Sequence, residues 1–385
     1  MPLRLLVLPP TALLTDHRPH GDGLVAYGFV RELAARGHEL HVATGGLDLA
    51  AAPPEGVHLH PIGAAGGARG RALAMRRTRG LLRRLAATTR FDLVHQLNPV
   101  DVGLSLAVSG SGLPVVLGPY VPDWAPSGAG SDAVVSPATL RVKRVLRAAQ
   151  QRRASVLLLS SPAAAAKVEA SWPAGLRVRE VPPGIDTGRW HPGAQPSASH
   201  DVLFLANLQV RKGVLVMLDA FERVAPRVPA ARLVLAGAGP EEGEVRRRVA
   251  ASRWGDRIEL LGHVGREGVL PLMQGCAVYC LPSYGEPFGM TALEAMACAR
   301  PVVATRAGGL QHLVDDGGGR TVTPGDAPAL ATALAELLGD PEGRAAMGEH
   351  NRRRVEERYA WSRVADRLED AYGEALAIAS RRRWS

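Results

Sequence analysis

Residues 284–309 read YGEPFGMTALEAMACARPVVATRAGG. Just before them, residues 277–281 (AVYCL) form an apolar run of strand length that stops at Pro282-Ser283. Gly285, Pro287 and Gly289 break the next stretch. Residues 290–297 are then strong helix formers, with Thr291 near the start. A second apolar run, 301–304, leads to Gly308-Gly309. The order is strand, loop, helix, strand. It predicts a parallel sheet with Gly289 and the unpaired N–H groups of a helix start at the sheet's C-terminal edge. Free amides and the helix dipole both favour an anion there, above all a phosphate.

Two carboxylates flank that position: Glu286 in the loop and Glu294 within the helix. A carboxylate beside a phosphate pocket repels the phosphate, so its useful work is to accept hydrogen bonds from neutral hydroxyls. Phosphate plus two hydroxyl contacts points to a nucleotide-sugar. Taken singly, each Glu reads first as a solvated surface residue; the arrangement with Gly289 and the double glycine carries the functional reading.

The chain has 385 residues, 46% hydrophobic and 22% charged, which suits a globular α/β protein of two domains. Aromatics are only 4%, so the cores must be built from Leu, Val and Ala. The net charge is +9, yet Lys occurs only at Lys143, Lys167 and Lys212. That skew toward Arg, with no aromatic and basic stripe for stacking bases, argues against nucleic acid as a partner. Cys276, Cys280 and Cys298 make neither a disulfide framework nor a paired zinc pattern. They are expected to be buried free thiols, in keeping with a cytoplasmic location. The start, MPLRLLVLPP, is broken by Pro9-Pro10 and reads as a first buried strand rather than a signal peptide. No run is long enough to span a membrane.

Residues 3–8 and 39–43 are expected strands on either side of a helix at 24–36, with Gly21-Asp22-Gly23 in the loop before it. The spacing of Gly21, Gly23 and Ala26 fits a weak dinucleotide fingerprint. It does not follow its strand directly, and no acidic residue ends the second strand, so NAD is disfavoured. Residues 69–90 and 140–153 are strongly basic helical stretches; each reads either as a solvated face or as a peripheral contact with anionic lipid. Strands are expected at 91–95, 114–117 and 156–159. The carboxyl ends of the first two carry His95, Asn98, Tyr120 and Asp123, the acceptor-side candidates. Residues 122–137 form a long Gly/Ser/Pro-rich loop. Further strands are expected at 202–206, 232–236 and 258–261, and helices at 330–338, 345–358 and 361–379.

The Glu286-Pro-Phe288-Gly289…Glu294 pattern resembles the E-x-F-G…E motif of retaining glycosyltransferases of family 4, which have the GT-B fold. Residues 207–213 (NLQVRKG) resemble that family's G-R-L-x-x-x-K-G loop, and residues 182–186 (PPGID) its turn between domains. The likeness is specific over 202–310 and mainly topological before 190. It implies two Rossmann-like doubly wound domains facing each other across a cleft: 1–190 for the acceptor, 191–360 for the donor, and a final helix, 361–385, crossing back to the first domain. By resemblance Glu286 contacts the donor sugar and Glu294 the ribose. Phe288, Gly289, Met290, Thr291 and Lys212 fall to the diphosphate, Gly237, His263 and Val264 to the nucleotide, and Gly21 and Gly23 to a loop closing over the donor. Two departures stand out. Asn207 takes the place of the usual Arg, leaving Arg211 as a substitute cation, and Tyr120 stands about where many members carry a His.

The implied reaction is metal-independent transfer of a hexose-type sugar from a UDP- or GDP-linked donor to a hydroxyl acceptor, with retention. No cofactor is implied beyond the donor as co-substrate. Lys212, Glu286 and Arg211 are the expected catalytic set. No D-x-D pair stands at a strand end to hold Mg²⁺, so no metal site is expected. Another enzyme on the same fold, such as a nucleotide-sugar epimerase, and a catalytically weak nucleotide-sugar-binding protein are the alternatives.

Overall fold

The computed structural model describes residues 1–9, 13–18, 21–63, 67–97, 103–120, 137–168, 172–193 and 199–384. They separate into two compact units, one built from the residues before 185 together with those from Trp361 onward, the other from Ile185–Ala360.

The first unit contains β1 (Arg4–Leu8), β2 (Leu13–Thr15), α1 (Gly21–Ala35), β3 (Glu39–Thr44), β4 (Gly46–Asp48), β5 (Val57–Pro61) and α2 (Gly67–Leu85). It continues through β6 (Leu93–Gln96), β7 (Val115–Tyr120), α3 (Pro137–Gln151), β8 (Val156–Leu159), α4 (Pro162–Val168) and β9 (Arg177–Glu180). Seven strands make one parallel sheet in the order β5-β3-β1-β6-β7-β8-β9. Its inner strands are buried because helices cover both faces, and most are largely apolar: β8 is VLLL with every residue buried, while β6 (LVHQ) buries His95 and Gln96 as well.

The second unit contains β10 (Asp201–Leu205), α5 (Val214–Val224), β11 (Arg232–Ala236), α6 (Glu242–Ala251), β12 (Ile258–Gly262), α7 (Arg266–Gly275) and β13 (Val278–Leu281). It continues with α8 (Met290–Ala297), β14 (Val302–Thr305), α9 (Leu310–Leu313), β15 (Gly319–Val322), α10 (Ala327–Gly339) and α11 (Pro341–Arg358). The sheet is again parallel, in the order β12-β11-β10-β13-β14-β15. One face packs Phe204, Phe221 and Leu334; the other packs Tyr279, Leu293 and Met296. Asp326 and Asp340 cap α10 and α11, accepting from the amides of Ala329 and Gly343, and each is followed by a proline in the first helical turn.

The chain ends in α12 (Trp361–Trp384), which belongs to the first unit. It lies against α1 and the β6–β8 part of the sheet. Its first residue sets the contact: the Trp361 ring meets Phe29 edge-on at 5.0 Å. A Cβ on Gly28 or on Gly184 would fall 2.0 Å and 2.4 Å from Trp361 ring carbons. Arg36 at the end of α1 pairs with Asp366 (2.9 Å) and Glu369 (2.6 Å) of α12.

Several expectations shift. Helix α1 begins at Gly21, so Gly21 and Gly23 lie in its first turn and not in a loop before it. The second unit opens at Ile185 rather than near 190. Strands β2, β4, β5, β9 and β15 lie outside the expected set. Two of them, β5 (VHLHP) and β9 (RVRE), are short, largely polar edge strands; β5 alternates Val57, His58, Leu59 and His60, but only over four residues before Pro61. The three thiols are buried and free. Among the described residues no helix is long and apolar enough to cross a membrane. The basic helices keep Leu73, Val142 and Val145 exposed beside their arginines.

Candidate functional site

In the second sheet the connections run outward from β10 to β11 and β12, then return to its other side at β13. The strand order therefore reverses between β10 and β13, and the crevice beyond their carboxyl ends is where open α/β sheets take ligands. The loop after β10 carries Asn207, Arg211 and Lys212; the loop after β13 carries Glu286, Phe288 and Gly289.

These two loops are knitted together. The Ser283 hydroxyl lies 2.9 Å from the Arg211 carbonyl and 3.1 Å from that of Gly285, and the Tyr284 amide donates to the Arg211 carbonyl at 2.8 Å. Arg211 reaches across to the Gly285 carbonyl at 2.7 Å. Lys212 Nζ stands 2.5 Å from Glu286 Oε2, with both side chains largely shielded from water. Three glycines make the approach possible. Gly213 has φ +76°, and a Cβ there would sit 2.0 Å from the Pro282 carbonyl oxygen. Gly308 and Gly309 bring the loop after β14 against the Glu286 segment; a Cβ on Gly308 would lie 2.1 Å from the Glu286 carbonyl oxygen. The Gly309 amide donates to that same oxygen at 2.8 Å.

Gly289 caps α8 with φ +102°, and its missing Cβ would stand 2.6 Å from Leu310 Cδ2. The ladder of α8 begins with the Leu293 amide donating to the Gly289 carbonyl at 3.0 Å. The amides of Met290, Thr291 and Ala292 thus precede any i−4 carbonyl within the helix and form the positive end of its dipole. Tyr279, which sequence reasoning passed over as an apolar strand residue, fixes the helix start. Its hydroxyl donates to the Leu205 carbonyl at 3.1 Å and lies 2.6 Å from Thr291 Oγ1. Thr291 is therefore already partnered through its side chain, and what it offers an anion is its amide. The signal in the sequence was a tyrosine, an aromatic with a polar tip, inside an otherwise apolar strand run.

Glu294, one turn into α8, is half-buried. Desolvation pushes its carboxyl up to about 8, against the opposing pull of the Arg189 and Arg266 guanidiniums. Among the described residues the carboxyl makes no hydrogen bond or ion pair. Phe288, by contrast, turns its ring into the core, edge-on to Tyr359 with centroids 6.0 Å apart, so only its backbone is available to a ligand. Gly237 follows β11 with φ +145° and lies so close to Ala206 that a Cβ would be 2.0 Å from its carbonyl oxygen. Its amide donates to the Gly262 carbonyl at 2.7 Å. His263, after β12, is exposed, Val264 packs partly against the core, and Asn207 is exposed at the end of β10.

The acceptor-side expectations fare differently. His95 is completely buried in β6 and is a structural residue. Its Nε2 lies 2.6 Å from the Gly118 carbonyl and its Nδ1 2.7 Å from the Tyr372 hydroxyl of α12. A carbonyl can only accept, so Nε2 carries the proton and Nδ1 accepts from Tyr372. Burial drives the ring pKa down to about 4, keeping it neutral. Tyr120 is 4% exposed in the core of the first unit, its phenol pushed up to about 12 by burial. Neither faces solvent as an acceptor-binding side chain would, because residues at the ends of these strands are overlain by the rest of the unit. Asn98 and Asp123 lie outside the described residues.

Each half of the chain is similar to known proteins. Residues 20–189 match the model described as Glycosyltransferase Family 4, and residues 199–340 that described as Glycosyl transferases group 1. A D-inositol 3-phosphate glycosyltransferase of Corynebacterium jeikeium is 33% identical over 217 residues, covering 51% of this chain and 52% of that protein. A glycogen synthase of Mycobacterium tuberculosis is 30% identical over 192 residues, covering 49% and 46%. The chain spans about half the length of the curated relatives it matches. Among solved structures, sucrose-phosphate synthase from Thermosynechococcus elongatus superposes with TM-score 0.76 at 22% identity over 97% of this chain and 100% of that one. Anabaena HepE in complex with UDP-glucose gives 0.71 at 18% identity over 96% and 99%. At these identities the likeness establishes the fold, two Rossmann-like domains of GT-B type. With one family model on each half, residues 20–189 and 199–340, the chain belongs to the group 1, family 4 glycosyltransferases.

Proposed function

We propose that the chain transfers a hexose-type sugar from a nucleoside diphosphate, UDP- or GDP-linked, to a hydroxyl acceptor, with retention and without a bound metal. The observation that carries this reading is the Lys212–Glu286 pair, 2.5 Å apart at the strand-order reversal and beside the open amides of α8. The ammonium has three donors. When a diphosphate enters, it can bond a β-phosphate oxygen while the carboxylate it releases accepts from a sugar hydroxyl. As the bond to the anomeric carbon breaks, negative charge grows on the β-phosphate, and Lys212 together with the Gly289–Thr291 amides is positioned to stabilise it. The departing phosphate then takes the acceptor proton, and no enzyme nucleophile is required. Glu294 serves the ribose hydroxyls. The relatives support a nucleotide-sugar donor: HepE is solved with UDP and with UDP-glucose, and the curated relatives are named for glycosyl transfer. The three buried thiols support a reducing, cytoplasmic setting.

A second reading, a nucleotide-sugar-binding protein with weak turnover, is favoured by one observation. Asn207 supplies no cation, and the guanidinium of Arg211 is already bonded to the Gly285 carbonyl. A thermal-shift panel of nucleoside diphosphates and their sugars, with chelator and with Mg²⁺, separates the two when paired with Lys212→Ala. A ligand at a hundred times its dissociation constant adds about 2.7 kcal/mol of stability. The proposal expects a selective shift in chelator and nucleoside diphosphate release that falls at least about a hundredfold in Lys212→Ala. No shift with any nucleotide sinks the donor site; a shift with no turnover under any acceptor leaves the binding-protein reading.

A further inference from the structure

Strands β3 and β5 pair in parallel at the edge of the first sheet, with His41 opposite His58 and Ala43 opposite His60. Side chains alternate along a strand, so Glu39 and His41 share one face of β3, and His58 and His60 share one face of β5. The register brings all four onto the same side. The His41 ring stacks parallel to His60 at 5.2 Å, lies 4.6 Å from His58, and is met edge-on by Phe91.

Glu39 Oε1 stands 3.3 Å from His41 Nε2 and 3.8 Å from His58 Nε2. The three ligand atoms all lie within 4.8 Å of one another. A tetrahedral ion bound at about 2.0–2.1 Å holds its ligands roughly 3.3 Å apart. The Glu39–His41 spacing already matches this, the Glu39–His58 spacing of 3.8 Å needs about half an ångström of closure, and the third, within 4.8 Å, needs at most about 1.5 Å, which the exposed His58 side chain can supply by turning. From these three groups we infer a binding site for one divalent cation of the zinc class, held by Glu39, His41 and His58, with its fourth position open to solvent.

The contacts around the three ligands have the form such a site requires. A ligating imidazole must pass its other N–H to an acceptor, and His41 Nδ1 is 3.1 Å from His60 Nε2. A ligating carboxylate is held by its free oxygen, and Glu39 Oε2 accepts from Arg4 Nε at 2.9 Å. His41 is buried, only 6% exposed, so its ring is held in place by the packing around it. The His58 side chain is 51% exposed, so it faces the route by which an ion arrives. Two cations work against affinity, Arg4 on Glu39 and Arg84 near His60. Imidazole and a single carboxylate favour zinc over calcium or magnesium, which take oxygen ligands. Bound there, the ion would tie the edge strand β5 to β3.

The test uses the full chain without an affinity tag, stripped with chelator, then titrated with Zn²⁺ against a chromophoric competitor and with Co²⁺ for its visible spectrum. One ion per chain and the intense Co²⁺ bands of tetrahedral coordination are expected. His58→Gln, at an exposed edge position where folding is not at stake, and Glu39→Gln should each weaken binding at least about tenfold. His60→Ala should weaken it about ten- to a hundredfold through His41 alone. Failure to bind one ion per chain, or equal affinity in the parent and His58→Gln, overturns the assignment.

Discussion

Replacing Glu294 with Gln should stabilise the second unit and loosen its hold on a nucleotide-sugar at the same time. The carboxyl is raised from 4.5 to about 8, chiefly by desolvation. Below pH 4.5 it is neutral in folded and unfolded chain alike and costs nothing. Between there and pH 8 the folded form binds more protons than the unfolded one, so the parent loses stability as pH rises, and above pH 8 the full penalty is in place. At about 1.4 kcal/mol per unit, the shift corresponds to a ceiling of about 5 kcal/mol. The side chain keeps part of its contact with water, which screens the cost to about 2 kcal/mol. A unit of this size gains roughly 2–4 °C per kcal/mol. Glu294→Gln should therefore melt ~4–8 °C above the parent at pH 8.5 and within ~1 °C of it at pH 5. The assay is a melting series across pH, with a nucleotide-sugar titration at pH 8.5, where the carboxyl is ionised. If Glu294 accepts from ribose hydroxyls, the same variant loses about 1.5–3 kcal/mol of binding, roughly ten- to a hundredfold. A melting difference that does not grow with pH refutes the burial argument. Unchanged donor affinity refutes the ribose role.

Gly289→Ala places a side chain at φ +102° and 2.6 Å from Leu310 Cδ2. It should cost about 1–3 kcal/mol in urea unfolding and weaken nucleoside diphosphate binding; a change within about 0.5 kcal/mol would show that the α8 start is not held as described. Tyr372→Phe removes the hydroxyl that donates to buried His95. Stability should fall about 1–3 kcal/mol with acceptor KM unaltered, whereas a KM change without a stability change would return His95 to the acceptor side.

What the sequence made legible follows from where the physics is local. The β13-loop-α8-β14 segment announces itself through apolar strand runs, breakers and helix formers within a short span, and Gly289, Lys212, Glu286 and Glu294 all lie in or beside loops whose flanking elements are readable. The pairing of Lys212 with Glu286 is not local: 74 positions separate them, and only the adjacency of β10 and β13 brings them to 2.5 Å. The same limit misled the reading of His95 and Tyr120. Being at a strand's carboxyl end is visible in sequence; that Tyr372 of α12 arrives from 277 positions away to cover His95, and that Tyr120 packs among Leu6, Leu8 and Leu159, is not. Phe288 belongs to a recognisable motif, yet its ring is a core residue, because a motif reports which residues recur and not which of their atoms face the ligand. The Glu39–His41–His58 cluster escaped for a related reason. Its ligands come from two strands, β3 and β5, and only their register brings the rings together.

The seating of Trp361 between Gly28 and Gly184 has a bearing on how the polypeptide matures during synthesis. Its first unit is discontinuous, interrupted by residues 185–360. Until Trp361 and the apolar face of α12 emerge from the ribosome, Phe29, Val30 and Leu33 lack the surface that covers them. At ~5–20 residues per second, translating the intervening stretch takes ~10–35 s. During that interval the second unit, contiguous in sequence, can fold ahead of the first, and the nascent N-terminal half presents an uncovered helix and sheet face to chaperones. The order of completion is thus the reverse of the order of translation, and stop codons near residue 360 should yield a chain in which the earlier-made half is the one that aggregates.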